Sequence, residues 1–294
     1  MAVSDRHRAS GTGARYLKGS ASGGTKAYIR ATSCARVMHL VKLGGSVITD
    51  KARVRTLRPS NVRRLAAEIA ASGGDVIVVH GAGSFGHIKA KQHRLNAGYL
   101  DDEQLPAVAE VQRDVRELDL AVVDALRRAG LRPVSLPPSA IARLDDGELK
   151  SVDLDVFRRY ADLGFTPVTF GDVVLDARRW FSICSGDLLM LALAKAFRPA
   201  AAIFVADVDG VYTADPKRVR TAKLLRQVGP ATIGKIDTAT PGAHDVTGGL
   251  AGKLQRMIAV AKFTERCVLV NGLKKGRLLA ALRGQRVLGT RVTA

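Results

Sequence analysis

The stretch VIVVHGAGSFGHIKAK, residues 76–91, decides the fold. Its first four residues are an unbroken β-branched run, the pattern of a strand covered on both faces. Directly afterwards Gly81, Gly83 and Gly86 fall at G-x-G-x-x-G spacing, which taken literally is a dinucleotide fingerprint. The glycines themselves establish something narrower. A strand ends, the backbone approaches something closely, and N–H groups face a negatively charged ligand.

Outward from this stretch the same strand, turn and helix grammar recurs. Residues 39–48, HLVKLGGSVI, read as a strand running into a glycine turn, and residues 59–72 as a helix with Ser60 at its N-cap. A long helix is predicted from Gln104 to Ala129, stopping at Gly130. Strands follow at 132–136 and 165–170 around a helix at 152–164, then a strand pair turning at 176–179. Residues 185–197 read as a helix entered through Ser185, Gly186 and Asp187. The second half alternates in the same way: a strand at 201–211, a helix at 247–263, a strand at 266–272, a helix at 276–284, and residues 287–294 closing the sheet. Such alternation predicts an α/β fold with a mostly parallel sheet covered on both faces.

The bulk properties exclude several classes. Three cysteines, Cys34, Cys184 and Cys267, are odd in number and widely separated, which suits a reduced cytoplasmic interior better than disulfides or a zinc site. No apolar run approaches the roughly 20 residues of a membrane span; LLMLALA at 188–194 is among the longest. A formal charge of +19 attracts polyanions, yet the excess is spread along the chain and aromatics are only 5%, so nucleic-acid binding is not expected. The first 37 residues stand apart, basic, rich in Ser and Gly and without an apolar period, and read as a disordered extension ahead of the strand that starts at Met38.

Four stretches at element junctions carry the chemistry: VKLGGSVITDK, HGAGSFGH, SGD and DVTGGLAGK. Together they describe a site for several phosphates beyond the carboxyl ends of the strands. Lys42 projects from the end of the first strand, with Gly44 and Gly45 letting the turn approach phosphate. Lys51 reaches the same pocket from the following loop. Lys253 sits near the start of a helix whose dipole favours anions, and Asp187, at another helix start, is of the right type to hold lysines that repel one another. Each also has an ordinary reading, as a solvated lysine or a helix cap. The dehydrogenase reading finds acids at Asp101 and Asp102 but not the usual first β-α-β position, and GGLAGKL lacks the spacing and the Ser or Thr of a P-loop.

KLGGSVITDK, GAGSFGH, GDVV, SGDLLMLALA, ADVDGVYTADP and DVTGGLAGK resemble, in order and spacing, the amino acid kinase superfamily and, within it, the isopentenyl phosphate kinases. The resemblance covers residues 38–294. It implies a three-layer αβα sandwich with an open, mostly parallel sheet, a homodimer, an acceptor-phosphate lobe at 38–198 and an ATP lobe at 199–294. It also implies transfer of the γ-phosphoryl of Mg-ATP to isopentenyl phosphate. By motif, Lys42, Gly44, Gly45 and Ser46 would touch the ATP phosphates and Lys51 the transferring group. Gly81, Ala82, Gly83 and His87 would hold the acceptor, with Gly171 and Gly186 near it. Asp207, Gly210, Tyr212, Asp215, Gly249 and Lys253 would serve the nucleotide. No Mg2+ ligand is assigned; ATP oxygens hold the ion.

Elementary chemistry supports His87 separately. An acceptor phosphate with a second pKa of about 6 is already nucleophilic at neutral pH, so it needs restraint rather than a base. A charge-assisted hydrogen bond from an imidazole supplies that. An apolar acceptor tail is expected between the 104–129 helix and the Gly83 loop, against Val111, Val115, Leu118 and Val122. Two rivals stay open: a kinase for another small phosphate or phosphonate such as fosfomycin, and a non-catalytic nucleotide sensor on the same fold.

Overall fold

The computed structural model describes residues 37–216, 218–233, 236 and 249–294. The basic extension read over residues 1–37 therefore lies, but for Val37, outside the described residues. The strands are β1 (Met38–Leu43), β2 (Asp75–His80), β3 (Pro133–Ser135), β4 (Ala142–Asp145), β5 (Glu148–Val152), β6 (Thr166–Phe170), β7 (Asp172–Asp176), β8 (Trp180–Cys184), β9 (Ala201–Ala206), β10 (Val211–Tyr212), β11 (Leu224–Leu225), β12 (Gln227–Val228), β13 (Arg266–Asn271) and β14 (Gly289–Val292). The helices are α1 (Gly45–Ile48), α2 (Pro59–Ala70), α3 (Gly83–Gln92), α4 (Gln104–Arg128), α5 (Pro138–Ile141), α6 (Leu154–Asp162), α7 (Gly186–Phe197), α8 (Pro230–Ile233), α9 (Gly249–Ala261) and α10 (Arg277–Leu282).

Eight strands form one sheet in the order β12-β14-β13-β9-β1-β2-β6-β3. The first strand made thus lies near the middle, parallel to β2 on one side and to β9 on the other. All ladders in this sheet are parallel except β13 with β14. The carboxyl ends of β1, β2 and β9 adjoin where the chain order reverses, which is where open α/β sheets bind ligands. A second sheet, β5-β4-β7-β8, is built from two hairpins.

Alternation within each strand divides the core. Leu40, Ile77, Val79 and Phe204 pack with Leu189, Met190 and Leu193 of α7 and Leu254, Met257 and Ile258 of α9. Val41, Leu43, Val76, Val78 and Ile203 pack on the other face, with Leu65 and Ile69 of α2, Leu118, Val122 and Leu126 of α4, and Leu278 of α10. This two-sided cover is the αβα arrangement expected from the sequence. Lys42 shares the parity of Leu40 and so emerges on the α7 face. His80 shares the parity of Val76 and Val78 and turns toward α4. A smaller cluster, including Ala90, Val111, Val115, Phe170 and Phe181, joins α3, the front of α4 and the second sheet.

Candidate active site

At the carboxyl ends of β1, β2 and β9 lies a cleft of about 510 Å³. Its floor explains the glycines. A Cβ on Gly44 would come within 2.5 Å of Val205 O, one on Gly45 within 2.6 Å of Gly83 Cα, and one on Gly81 within 2.8 Å of Gly45 N. The turns after β1 and β2 therefore pack backbone against backbone, closer than any side chain permits. Gly83 adds a left-handed φ of +51° and a Cβ position only 2.2 Å from Thr49 Oγ1. Thr49 Oγ1 in turn accepts from Ser84 N at 3.0 Å, which ties the two turns together.

Lys42 reaches across to the first turn of α7, where its Nζ lies 2.5 Å from Asp187 Oδ1. Ser185 caps that helix, accepting from Leu188 N. Gly186 leaves room for the lysine, since a Cβ there would sit 3.3 Å from Lys42 Cε. Ser46 Oγ donates to Asp207 Oδ1 at 2.9 Å and so joins the β1 turn to the loop after β9. Two residues further, Asp209 accepts from Asn271 Nδ2 at 2.8 Å and from Arg277 Nη1 at 2.5 Å. The Asn271 hydrogen bond, then Arg277, hold its carboxyl below the ordinary aspartate range despite partial burial.

His87 does not sit in a loop. It lies in the second turn of α3, which begins at Gly83, and it lines the cleft with Lys51. The loop that carries Lys51 is clamped to α3: Arg55 N donates to Ser84 O and Thr56 N to Ser84 Oγ. Buried Asp114 of α4 receives Lys89 of α3 at 3.0 Å, while Arg55 Nε lies 3.3 Å away. Burial pushes the Asp114 carboxyl up, but Lys89, Arg113 and Arg55 outweigh it and hold it low. One carboxylate thus anchors two of the segments that line the cleft, α3 and the loop that carries Lys51.

Of the residues singled out from sequence, Lys42, Gly44, Gly45, Ser46, Lys51, Gly81, Ala82, His87, Gly171, Gly186, Asp187, Asp207, Gly210, Tyr212, Asp215 and Lys253 line this one cleft. Gly83 does not; it lies beneath the floor. Gly249 opens α9, and the preceding DVTG lies outside the described residues. Val111 and Val115 line the cleft with Ala90 and Ile183, but Leu118 and Val122 do not. A 25-residue helix is longer than the pocket, and its rear half packs on the sheet. Sequence reasoning missed Asp172, a buried residue of the cleft lining with its carboxyl pushed up mainly by burial. It also missed Asp114 and Asp119. Their signal was present: both fall on the apolar stripe of α4, among Val111, Val115, Leu118 and Val122.

A profile described as the amino acid kinase family matches residues 38–271. The isopentenyl phosphate kinase of Methanothermobacter thermautotrophicus is 37% identical over 269 residues, covering 87% of this chain and 99% of that protein. The isopentenyl phosphate kinase of Thermoplasma acidophilum is 39% identical over 237 residues, covering 80% and 92% respectively. A crystal structure of an isopentenyl phosphate kinase superposes with a TM-score of 0.77 at 35% identity, over 87% of this chain and all of that one.

Proposed function

We propose a mechanism from one premise: the chain belongs to the amino acid kinase family. It is a phosphotransferase that uses ATP and converts isopentenyl phosphate to isopentenyl diphosphate. The observation that carries our assignment of roles is the convergence of Lys42, Lys51, His87 and Lys253, from four separate segments, on one cleft. Two polyanions repel each other there unless fixed cations and amides offset their charge.

An oxygen of the acceptor phosphate attacks the γ-phosphorus, the bond to the β,γ-bridging oxygen breaks, and ADP leaves with that electron pair. No side chain needs to take a proton, because the acceptor is largely dianionic at neutral pH. We assign Lys42 and Lys253, with the Gly44–Gly45 turn, to the ATP phosphates, and Lys51 to the transferring group. His87 and the Gly81–Ala82 backbone hold the acceptor phosphate. The loop from Asp207 to Asp215, with Gly210 and Tyr212, serves the nucleotide, and Asp187 keeps Lys42 aimed. Ala90, Val111, Val115 and Ile183 offer an apolar wall for a short prenyl tail.

No cluster of three or more His, Cys, Asp or Glu side chains able to hold a metal occurs among the described residues. We expect Mg2+ to accompany ATP, where it would supply charge neutralisation. We divide the chain into an acceptor lobe, residues 38–198, and an ATP lobe, residues 199–294, and expect a homodimer. Among the described residues no helix is long and apolar enough to cross a membrane. Burial pushes the thiols of Cys184 and Cys267 up to about 12, which disfavours the reactive thiolate, and we expect a cytoplasmic enzyme.

The test is ATP turnover with isopentenyl phosphate, dimethylallyl phosphate and fosfomycin in parallel. Efficient transfer to the prenyl phosphates and little to fosfomycin is expected. The reverse order would transfer the assignment to a phosphonate kinase, and ATP binding without any turnover would leave a sensor.

A further inference from the structure

Behind the acceptor loop lies a fully buried polar group that the mechanism above does not use. His80, the last residue of β2, is 0% exposed. Its Nε2 faces Asp119 Oδ1 of α4 at 3.2 Å, and its Nδ1 faces the carbonyl oxygen of Gly81 at 3.2 Å. The other oxygen of Asp119 accepts from Ser135 Oγ at 2.5 Å. Phe170 stacks on the ring at 5.1 Å. The Gly81 carbonyl only accepts, so that contact is a hydrogen bond when Nδ1 carries a proton, and a second proton shared between Nε2 and Asp119 makes the other. The geometry therefore calls for a hydrogen-bonded His–Asp pair inside the core, with its Nδ1–H on the Gly81 carbonyl.

The second contact decides where a donor points. A trans peptide is planar, and its C=O and N–H point in opposite directions. Holding the Gly81 carbonyl inward on His80 turns the N–H of Ala82 outward. Ala82 lines the cleft, and its nitrogen donates to no backbone carbonyl among the described residues. A Cβ built on Gly171 would lie 3.7 Å from that nitrogen, so the donor sits beside Gly171, which also lines the cleft. His80 also anchors that side, because its own carbonyl accepts from Gly171 N at 3.1 Å.

We propose that His80, oriented by Asp119, is a positioning residue of the acceptor site: it locks the Gly81–Ala82 peptide with the Ala82 N–H aimed at the acceptor phosphate. This rests on the kinase reading only for the identity of the anion. Without the Asp119 contact the ring is free to turn its Nδ1–H away from the Gly81 carbonyl, so the peptide would be free to rotate and the amide would be lost as a donor. ATP contacts, made by other segments, are unaffected.

The experiment has three arms on the full chain. Nitrogen-15 NMR of the wild type at pH 7.5 is expected to show one histidine with a hydrogen-bonded, slowly exchanging Nδ1–H, absent in His80→Gln and changed in Asp119→Asn. In steady-state kinetics, Asp119→Asn and His80→Gln are expected to lower kcat/KM for isopentenyl phosphate by about 10²-fold, as for loss of one preorganised donor, with KM for ATP within about twofold. Calorimetry with inorganic phosphate is expected to show about tenfold weaker binding in Asp119→Asn, a shift below the full effect because this probe has one anionic group. A His80 ring with no proton on Nδ1, or equal losses toward both substrates, overturns the proposal. If His80→Gln does not fold, Asp119→Asn and the NMR arm decide. If the wild type fails to phosphorylate isopentenyl phosphate, the kinase reading falls, while the NMR and phosphate arms still judge His80.

Discussion

Lys42, at the end of β1, and Asp187, in the first turn of α7, form an ion pair of 2.5 Å although 145 positions separate them in the chain. Asp187 is nearly buried and Lys42 mostly so. Removing one member leaves the other poorly compensated, which is costly in a low-dielectric site. Lys42→Met is expected to lower kcat by about 10²-fold or more. Asp187→Asn is expected to lower it less, because the lysine remains. A double-mutant cycle in urea denaturation is expected to give a coupling of about 1–3 kcal/mol; additivity would mean the pair holds nothing.

His87 and Lys51 line the same cleft from α3 and from the loop before α2, and they are assigned different duties. His87→Ala is expected to raise KM for the acceptor and to depress kcat/KM severely. Lys51→Ala is expected to act mainly on kcat. Steady-state and single-turnover kinetics separate the two, and an unchanged acceptor KM in His87→Ala contradicts its role.

Two left-handed glycines form a matched comparison. Gly83, at φ +51°, has Thr49 Oγ1 2.2 Å from its Cβ position, whereas Gly130, at φ +93°, has nothing within 4 Å. Gly83→Ala therefore adds a clash to backbone strain and is expected to cost about 3 kcal/mol, against about 1 kcal/mol for Gly130→Ala. Thermal melts of the two variants check the order.

Two aspartates make opposite contributions to pH dependence. The Asp209 carboxyl is lowered by Asn271 and Arg277. It binds fewer protons folded than unfolded, so its stabilisation is present above the unfolded value of about 3.9 and is lost as pH falls through the lower folded value. The Asp172 carboxyl is raised by burial. It binds more protons folded, so its contribution is full below about 3.9 and is lost as pH rises through the higher folded value. Relative to wild type, Asp172→Asn is expected to gain stability as pH rises from 4 to 7. Asp209→Asn is expected to be destabilised at pH 7 and to lose that deficit toward pH 3. Urea midpoints across this range test both signs.

The strand runs and long helices were legible because burial on both faces leaves continuous apolar stretches, as in VIVV of β2 and AIFV of β9. Helix α3 was not. Its sequence GSFGHIKAKQ carries two glycines and little apolar period, so local propensity opposes the helix. Tertiary packing makes it, with the Cβ position of Gly86 only 3.1 Å from Val115 Cγ1 of α4. The β4–β5 hairpin had a signal that was passed over: Asp146 and Gly147 form a D-G turn with both φ values positive, +55° and +80°. The His80–Asp119 contact had no local signal, since it joins residues 39 positions apart. Lys42 and Lys253 were legible because each sits beside a glycine turn or a helix start, where a charge gains from exposed amides.

The place of β1 in the sheet governs how the molecule is assembled. One edge of β1 pairs with residues 75–80, but the other waits for residues 201–206. A nascent chain emerging from the ribosome must carry an open, apolar strand edge while some 120 further residues are synthesised, a state prone to aggregation. The loop after β9, which supplies Asp207 to Ser46, arrives only then. Anion binding is thus withheld until β9 and the loop after it have been made, and a fragment ending ahead of β9 should neither bind ATP nor remain in solution.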